Sequence, residues 1–467
     1  MTSIAPLSFP ITPARPRRSS GRLARLLPVA LVALAVGCSV ETVEGPKPAV
    51  EPKITWTNAP KTEVVLKQGI STELPFMLSG DARVSFAAPA GVTVTREGNL
   101  LRLLPDYEAT GTQTLEVSLT GSSGATSKTI VTTTIKPLKW AVKKSWTEGA
   151  GPEGREHPSV FIDQEHGVTY MFQGSGYHPQ YSPLEDSWKF DMVTQTWSPW
   201  KPTGDVPAKG LSRRAAGPAK DGSYLLHGGE LESAKLDPDL YRLDMGTGGD
   251  AASFKKLTQV NPPPLRSLHF FGMDAALGKS VLFGGFSYES SSTLNDTWIL
   301  TTSGDTATWR KVDVPTKSSP SGRYGGFSAL DERTHKFYVY SGGQMPKSGN
   351  SVNPAQDTWV FDMQAETWSL LETTGTTPAG RRNGCVMHDT VHGRMFVFGG
   401  TPNGKVSEKG LFVLDLARGA WSEVAGEFPH VRSSGMGFFD AKTGRVFCGF
   451  GNDDDVYLDT NGFGYDD

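Results

Sequence analysis

An apolar strand that runs into a pair of glycines recurs along the C-terminal two-thirds of this chain at a nearly constant interval, and no other feature narrows the possible folds as far. It reads YLLHGG, VLFGG, YVYSGG and FVFGG, with first glycines at 228, 284, 342 and 399 and steps of 56, 58 and 57 residues. Two weaker copies extend the series: YMFQGS aligns Gln173 and Gly174 with the pair, and VFCGFG aligns Gly449 and Phe450. Further fixed points accompany each copy. An Asp-x-aromatic step follows at Asp186/Trp188, Asp239/Tyr241, Asp296/Trp298, Asp357/Trp359 and Asp455/Tyr457, with Gly410 and Phe412 in its place in the fifth copy. A second aromatic recurs at Trp140, Trp197, Phe254, Trp309, Trp368 and Trp421, and an arginine stands upstream of each pair: Arg155, Arg214, Arg266, Arg323, Arg382 and Arg432. A period of this length, written in short strands, means one supersecondary unit per copy, which must stack on its neighbours to bury both faces. The 53 Gly and 32 Pro spread along the chain agree with an all-β fold of many turns.

The order arginine, strand, Gly-Gly, variable loop, Asp-x-aromatic strand, Trp strand resembles the kelch repeat, and the resemblance covers residues 138–467. It implies four antiparallel strands per unit and a six-bladed β-propeller. Glycines fit beside the crowded axis, where a side chain would block the neighbouring backbone, and the aromatics fill the widening space farther out. The last copy ends without a Trp strand, whereas KWAVKKSW around Trp140 precedes the first arginine with no strands of its own. The two halves are expected to complete one blade and close the ring.

Ahead of the repeats, residues 1–37 combine an Arg-rich start with a short apolar run and small residues before Cys38, the pattern of an export signal. AVGC resembles the bacterial lipobox, which implies lipidation at Cys38 and, with Ser39 rather than Asp after it, an outer-membrane lipoprotein facing the periplasm or the cell surface. Removal of residues 1–37, which hold five Arg and no acid, moves the formal charge from −3 to −8. An acidic mature chain offers nothing to nucleic acid. Residues 38–53 read as a lipid-anchored tether. Residues 54–137 hold seven short alternating runs and resemble the Ig-like and cadherin-like β-sandwich modules of bacterial surface proteins, with spacer as the default role. Cys385 and Cys448 both lie in apolar strand contexts; two buried thiols are the first reading and a disulfide the alternative.

In an up-and-down blade the loop after the second strand and the approach to the first share one face, so the variable loops and the six arginines belong to one candidate site. By the resemblance, Arg155, Arg214, Arg266, Arg323, Arg382 and Arg432 form a partial guanidinium ring suited to carboxylate or phosphate, unless they serve between blades. Tyr177, Tyr181, Phe286, Tyr288 and Tyr324 could add stacking surfaces for sugar rings. The histidines are dispersed among the copies, so the copper chemistry of galactose-oxidase-like propellers is not expected, nor is any metal or cofactor. The run Asp453 to Asp455 reads as a solvated turn before it reads as a calcium site. With no nucleophile elbow, zincin, Walker or dinucleotide motif, no catalytic residue is nominated. The expected function is binding of an envelope protein or glycan on the loop face. The alternatives are a kelch-class carbohydrate-active enzyme, mutarotase- or oxidase-like, and a structural module of an envelope complex.

Overall fold

The structure, a computed structural model, describes residues 51–467 except 58–62, 80, 138, 146–149, 177–181, 208–211, 220, 232–234, 247–248, 316–317, 346–351, 403–408, 425–430, 453–458 and 465–467. The export segment, Cys38 and the tether up to residue 50 fall outside it, as do Tyr177, Tyr181, Asp455 and Tyr457. Among the described residues there is no α-helix.

Residues 53–136 form two four-stranded sheets. One has the order Lys53–Trp56, Thr72–Ser79, Leu100–Pro105, Val92–Glu97; the other Glu63–Lys67, Thr126–Lys136, Gly111–Gly121, Ala82–Ala87. Their strands alternate, so every second side chain enters a common core that includes Leu66, Phe76, Leu101, Leu115 and Val131. Glu63–Lys67 runs parallel to Thr126–Lys136, whereas the other strand pairs of these sheets are antiparallel.

The repeat region folds into six sheets of four antiparallel strands, each begun by a short strand: Ser159–Asp163, Ala215–Pro218, Phe270–Asp274, Phe327–Asp331, Cys385–Asp389 and Met436–Asp440. These first strands contact one another in a closed cycle, the last returning to the first. Three sheets gain a fifth, parallel strand from the connection before them: Thr203–Gly204, Thr258–Val260 and Thr374–Gly375. The last sheet is built from both ends of the repeat region. Lys139–Ser145 pairs with Asp459–Gly464, the third strand, and becomes the outermost member.

Aromatics from the repeat positions pack between sheets, as when Trp368 meets Phe283 at 4.9 Å and Trp421 meets Tyr340 at 4.7 Å. Cys385 and Cys448, on neighbouring sheets, are disulfide-bonded with their Cα atoms 6.1 Å apart, in place of the two separate thiols of the first reading. Neither cysteine's own strand foretells this, because the partner becomes adjacent only when the fifth and sixth sheets stack.

The sandwich is docked on the turns opposite the variable loops. Tyr107 enters the core of the fifth and sixth sheets with Phe396 and Cys448, and Ile70 packs beside it. Arg394 Nη1 donates to the Gly69 carbonyl at 2.9 Å and the Tyr107 hydroxyl at 3.3 Å, with its guanidinium 5.1 Å from the Tyr107 ring. Burial pushes the Tyr107 phenol up to about 12, against the pull of the Arg394 charge.

Candidate functional site

On the loop face, the residue two positions after each leading arginine position is left-handed: His157, Arg213, Leu268, Gly325, Asn383 and Ser434 have φ between 46° and 61°. Each donates its N–H to the carbonyl of its counterpart in the preceding sheet, and His157 donates to Ser434, so six hydrogen bonds of 2.5–3.3 Å close a ring around the axis. The residue just before each ring member pairs with the loop that follows the second strand, in the bridges Glu156/Ser175, Ser212/Glu230, Ser267/Phe286, Tyr324/Gly343, Arg382/Thr401 and Ser433/Asn452. These two rows form the mouth of the channel.

One residue earlier still lie Arg155, Arg266, Arg323, Arg381 and Arg432, all fully buried. Four of them donate through Nε to the carbonyl two residues back. All five donate through Nη1 to the residue that follows the second strand: Gln173, Gly284, Ser341, Gly399 and Phe450. Arg155, Arg266 and Arg323 also hold Asp186, Asp296 and Asp357, with shortest N···O distances of 2.8, 2.6 and 2.6 Å. Burial pushes these three carboxyls up, but the guanidinium and an indole N–H outweigh it and leave each below the ordinary Asp range. In these three copies the repeat's Asp is therefore the counter-ion of its leading arginine, whereas Asp239 of the second copy pairs with Lys256. Where Gly410 replaces the Asp, Arg381 instead lies 5.2 Å from the Phe412 ring.

This geometry corrects the register read from sequence at four points. The left-handed first position of the glycine pair falls on Ser341 and Phe450, not Gly342 and Gly449. A Cβ at Gly284 would come within 2.7 Å of the Arg323 carbonyl, which is why glycine prevails at this position; Ser341 instead sets its hydroxyl on the Ala355 and Arg381 carbonyls, both at 2.7 Å. The leading arginine of the fifth copy is Arg381 rather than Arg382, and in the second copy the position belongs to Leu211, outside the described residues. Arg214 lies three residues further on. It pairs with Asp237 at 2.8 Å beneath the Tyr241 ring, and burial pulls it down to about 10.

The six arginines thus do not form one ring facing a ligand. Arg155, Arg266, Arg323 and Arg432 are enclosed by scaffold carbonyls, and Arg214 is shut into the second sheet. Arg382 does reach the mouth. It stacks over Tyr324 at 5.6 Å and has no carboxylate partner among the described residues. Together with Tyr288, Phe286, Arg213 and Asn383 it lines a cavity of about 240 Å³ that spans four consecutive sheets. The rings of Phe286 and Tyr288 meet edge to face at 5.0 Å, and Phe286 lies 5.7 Å from Tyr324. Arg213 forms an ion pair with Glu230, and burial together with the Glu230 charge pushes the Tyr288 phenol up to about 12. Sequence reasoning named Arg382, Tyr288, Tyr324 and Phe286 and missed Arg213, Glu230 and Asn383. The doubled arginines at 213–214 and 381–382 were the available signal, since only one of each pair can occupy a given turn position.

Among the described residues no group of three or more His, Cys, Asp or Glu is placed to hold a metal ion. Asp453 to Asp455 lie outside them.

Comparison with known proteins agrees with the geometry. Residues 169–388 and 275–464 match the model of the KLHDC2/KLHL20/DRC7 Kelch-repeats domain. Adagio-like protein 3 of Oryza sativa subsp. japonica is 28% identical over 253 residues, 53% of this chain and 38% of that protein. The N-(sulfonatooxy)prop-2-enimidothioate sulfolyase of Thlaspi arvense is 26% identical over 278 residues, 55% of this chain and 76% of that protein. Kelch domain-containing protein 3 of Bos taurus is 25% identical over 254 residues, 52% of this chain and 60% of that protein. The chain spans well under half the length of the Adagio relatives it matches. Among solved structures, YjhT aligns at 14% identity with a TM-score of 0.47, over 71% of this chain and 96% of that one. From the family match over residues 169–464, and from sheets and arginine–aspartate pairs that repeat in step with it, the chain belongs to the kelch-repeat family, and its repeat region is a kelch β-propeller.

Proposed function

We propose that this chain is an envelope lipoprotein, anchored through Cys38, whose six-bladed propeller captures one acidic residue of a glycan or protein at its mouth, with residues 54–137 as an Ig-like base. The observation that carries the binding reading is Arg382: a guanidinium with no carboxylate partner among the described residues, set on an aromatic face in a cavity of about 240 Å³. Such a group gains a charge-assisted, bidentate partner from a carboxylate or sulfate, while Phe286, Tyr288 and Tyr324 offer ring faces to the body that bears it. The volume suits one residue rather than a chain. The test is a screen of residues 39–467 against neutral and acidic glycans beside a pull-down from envelope extract. Acidic ligands should bind and Arg382→Ala should remove the preference for charge; equal binding of neutral and acidic ligands would refute it.

A second reading, an enzyme acting on an acidic small molecule, draws support from Glu156. Its side chain is buried beside Arg213 with no hydrogen-bonding partner among the described residues, and burial pushes its carboxyl up to about 7 against the pull of Arg213. A carboxyl poised near neutrality can carry a proton in either direction. The relative named as a sulfolyase shows that a similar chain carries an enzyme's name. Turnover of acidic sugars, lost in Glu156→Gln, would favour this reading over simple capture.

A further inference from the structure

Beyond the ring of six hydrogen bonds the first strands enclose a second, larger space. It measures about 530 Å³, within the roughly 300–1,000 Å³ typical of small-molecule sites. Its wall follows from strand alternation. In Cys385–Asp389, Cys385 and Met387 turn into the sheet core while Val386 and His388 face the lumen, and Val160, Ile162 and Ala216 line it from the first and second sheets.

Three side chains of this wall hold polar atoms without partners. His388 Nε2, Ser159 Oγ, and Nε and Nη1 of Arg214 are shut off from solvent and make no hydrogen bond among the described residues. Gln164 and Tyr224 are spent, on the Phe439 carbonyl at 2.6 Å and the Ile162 carbonyl at 2.5 Å, and the Arg214 charge is matched through Nη2 by Asp237. Burial pulls the His388 imidazole down to about 4, in spite of Asp389 and Asp331 nearby, so it is neutral at pH 7. The described lining residues therefore present no unpaired charge, and a charged molecule would lose its hydration with nothing to replace it. Most buried polar atoms in folded proteins are satisfied, so orphans on three side chains of one largely apolar chamber point to a missing partner.

We propose that the lumen is a second binding site, separate from the mouth, for a neutral and largely apolar small molecule that offers hydrogen-bonding groups to His388 and Ser159.

The test compares two fluorescent probes on the full chain: N-phenyl-1-naphthylamine, which is neutral with one N–H, and 1-anilinonaphthalene-8-sulfonate, the same rings bearing a charge. The neutral probe should bind saturably and the sulfonate at least about tenfold more weakly. Val386→Trp should abolish neutral-probe binding, and His388→Leu should weaken it several-fold while leaving a dry wall. Should Val386→Trp lower the melting temperature, Ala216→Phe fills the lumen from the opposite side. Binding that survives both fillings would place the probe on exposed apolar side chains such as Met77 or Ile130 and overturn the proposal. Equal affinity for the two probes, or no saturable binding, would overturn it as well.

Discussion

Replacing Arg323 by Leu and Arg382 by Ala should damage different properties, though the sequence aligns both arginines with the same repeat feature. Arg323 is fully buried against the Ser341 carbonyl and a partly exposed Asp357, so its loss leaves a buried carbonyl and a half-solvated carboxylate unpaired and should cost about 2 kcal/mol in a urea titration. Adding Asp357→Leu should recover part of that cost, because the stranded charge goes with it. Arg382→Ala should leave the midpoint nearly unchanged and weaken an acidic ligand about tenfold, measured by calorimetry. Glu156 gives a pH signature. Its folded value lies near 7 and its ordinary value near 4.5, so between these the folded chain holds a proton that the unfolded chain has released. Stability should fall as pH rises through that window, by on the order of 2 kcal/mol, and Glu156→Gln should flatten the slope between pH 5 and 8. None of this sorting of arginines is visible in composition or spacing. SRRAAG and GRRNG each hold two arginines, and only the place of the left-handed residue, Arg213 in the first and Asn383 in the second, decides which is enclosed and which is presented.

At the scale of elements, the repeat grammar was legible wherever a residue type answers a backbone demand. The glycine pairs mark a left-handed step against the neighbouring sheet, and the Asp-x-aromatic marks the counter-ion of a buried arginine. It failed where another residue meets the same demand: Ser341 and Phe450 hold the left-handed position without being glycine, and the register slipped by one at both. The mouth was legible only in pieces, since Arg213, Phe286, Tyr324 and Arg382 come from four sheets and meet only once the ring is closed. Closure depends on Lys139–Ser145, which supplies the outer strand of the last sheet. Deleting it should expose the edge of Asp459–Gly464 and abolish cooperative unfolding, as followed by circular dichroism. The Cys385–Cys448 bond fastens the fifth sheet to that same closing sheet, so Cys385→Ser with Cys448→Ser should lose about 2–4 kcal/mol while the oxidised parent is insensitive to mild reductant.

For the molecule as a whole, the sandwich is part of the propeller's core and not a loose spacer, because Tyr107 is buried among residues of the fifth and sixth sheets and Arg394 is bonded back to Gly69. A single calorimetric transition is expected for the two together, and Tyr107→Ala with Arg394→Ala should split it in two. The docking uses the turns around Arg394, Arg418 and Gly444, opposite the loops, which leaves the mouth uncovered by the sandwich. The closing sheet also sets a schedule for how the chain comes to be folded. Ser145 pairs with Asp459, so the earliest strand of the propeller waits for almost the last. Until Asp459–Gly464 has been made, the ring stands open with one unpaired edge at either end, and the slow, non-local step waits for that strand. Newly made chains are therefore most exposed to mispairing until Asp459–Gly464 is in place, and loss of this one strand is far more harmful than its length implies.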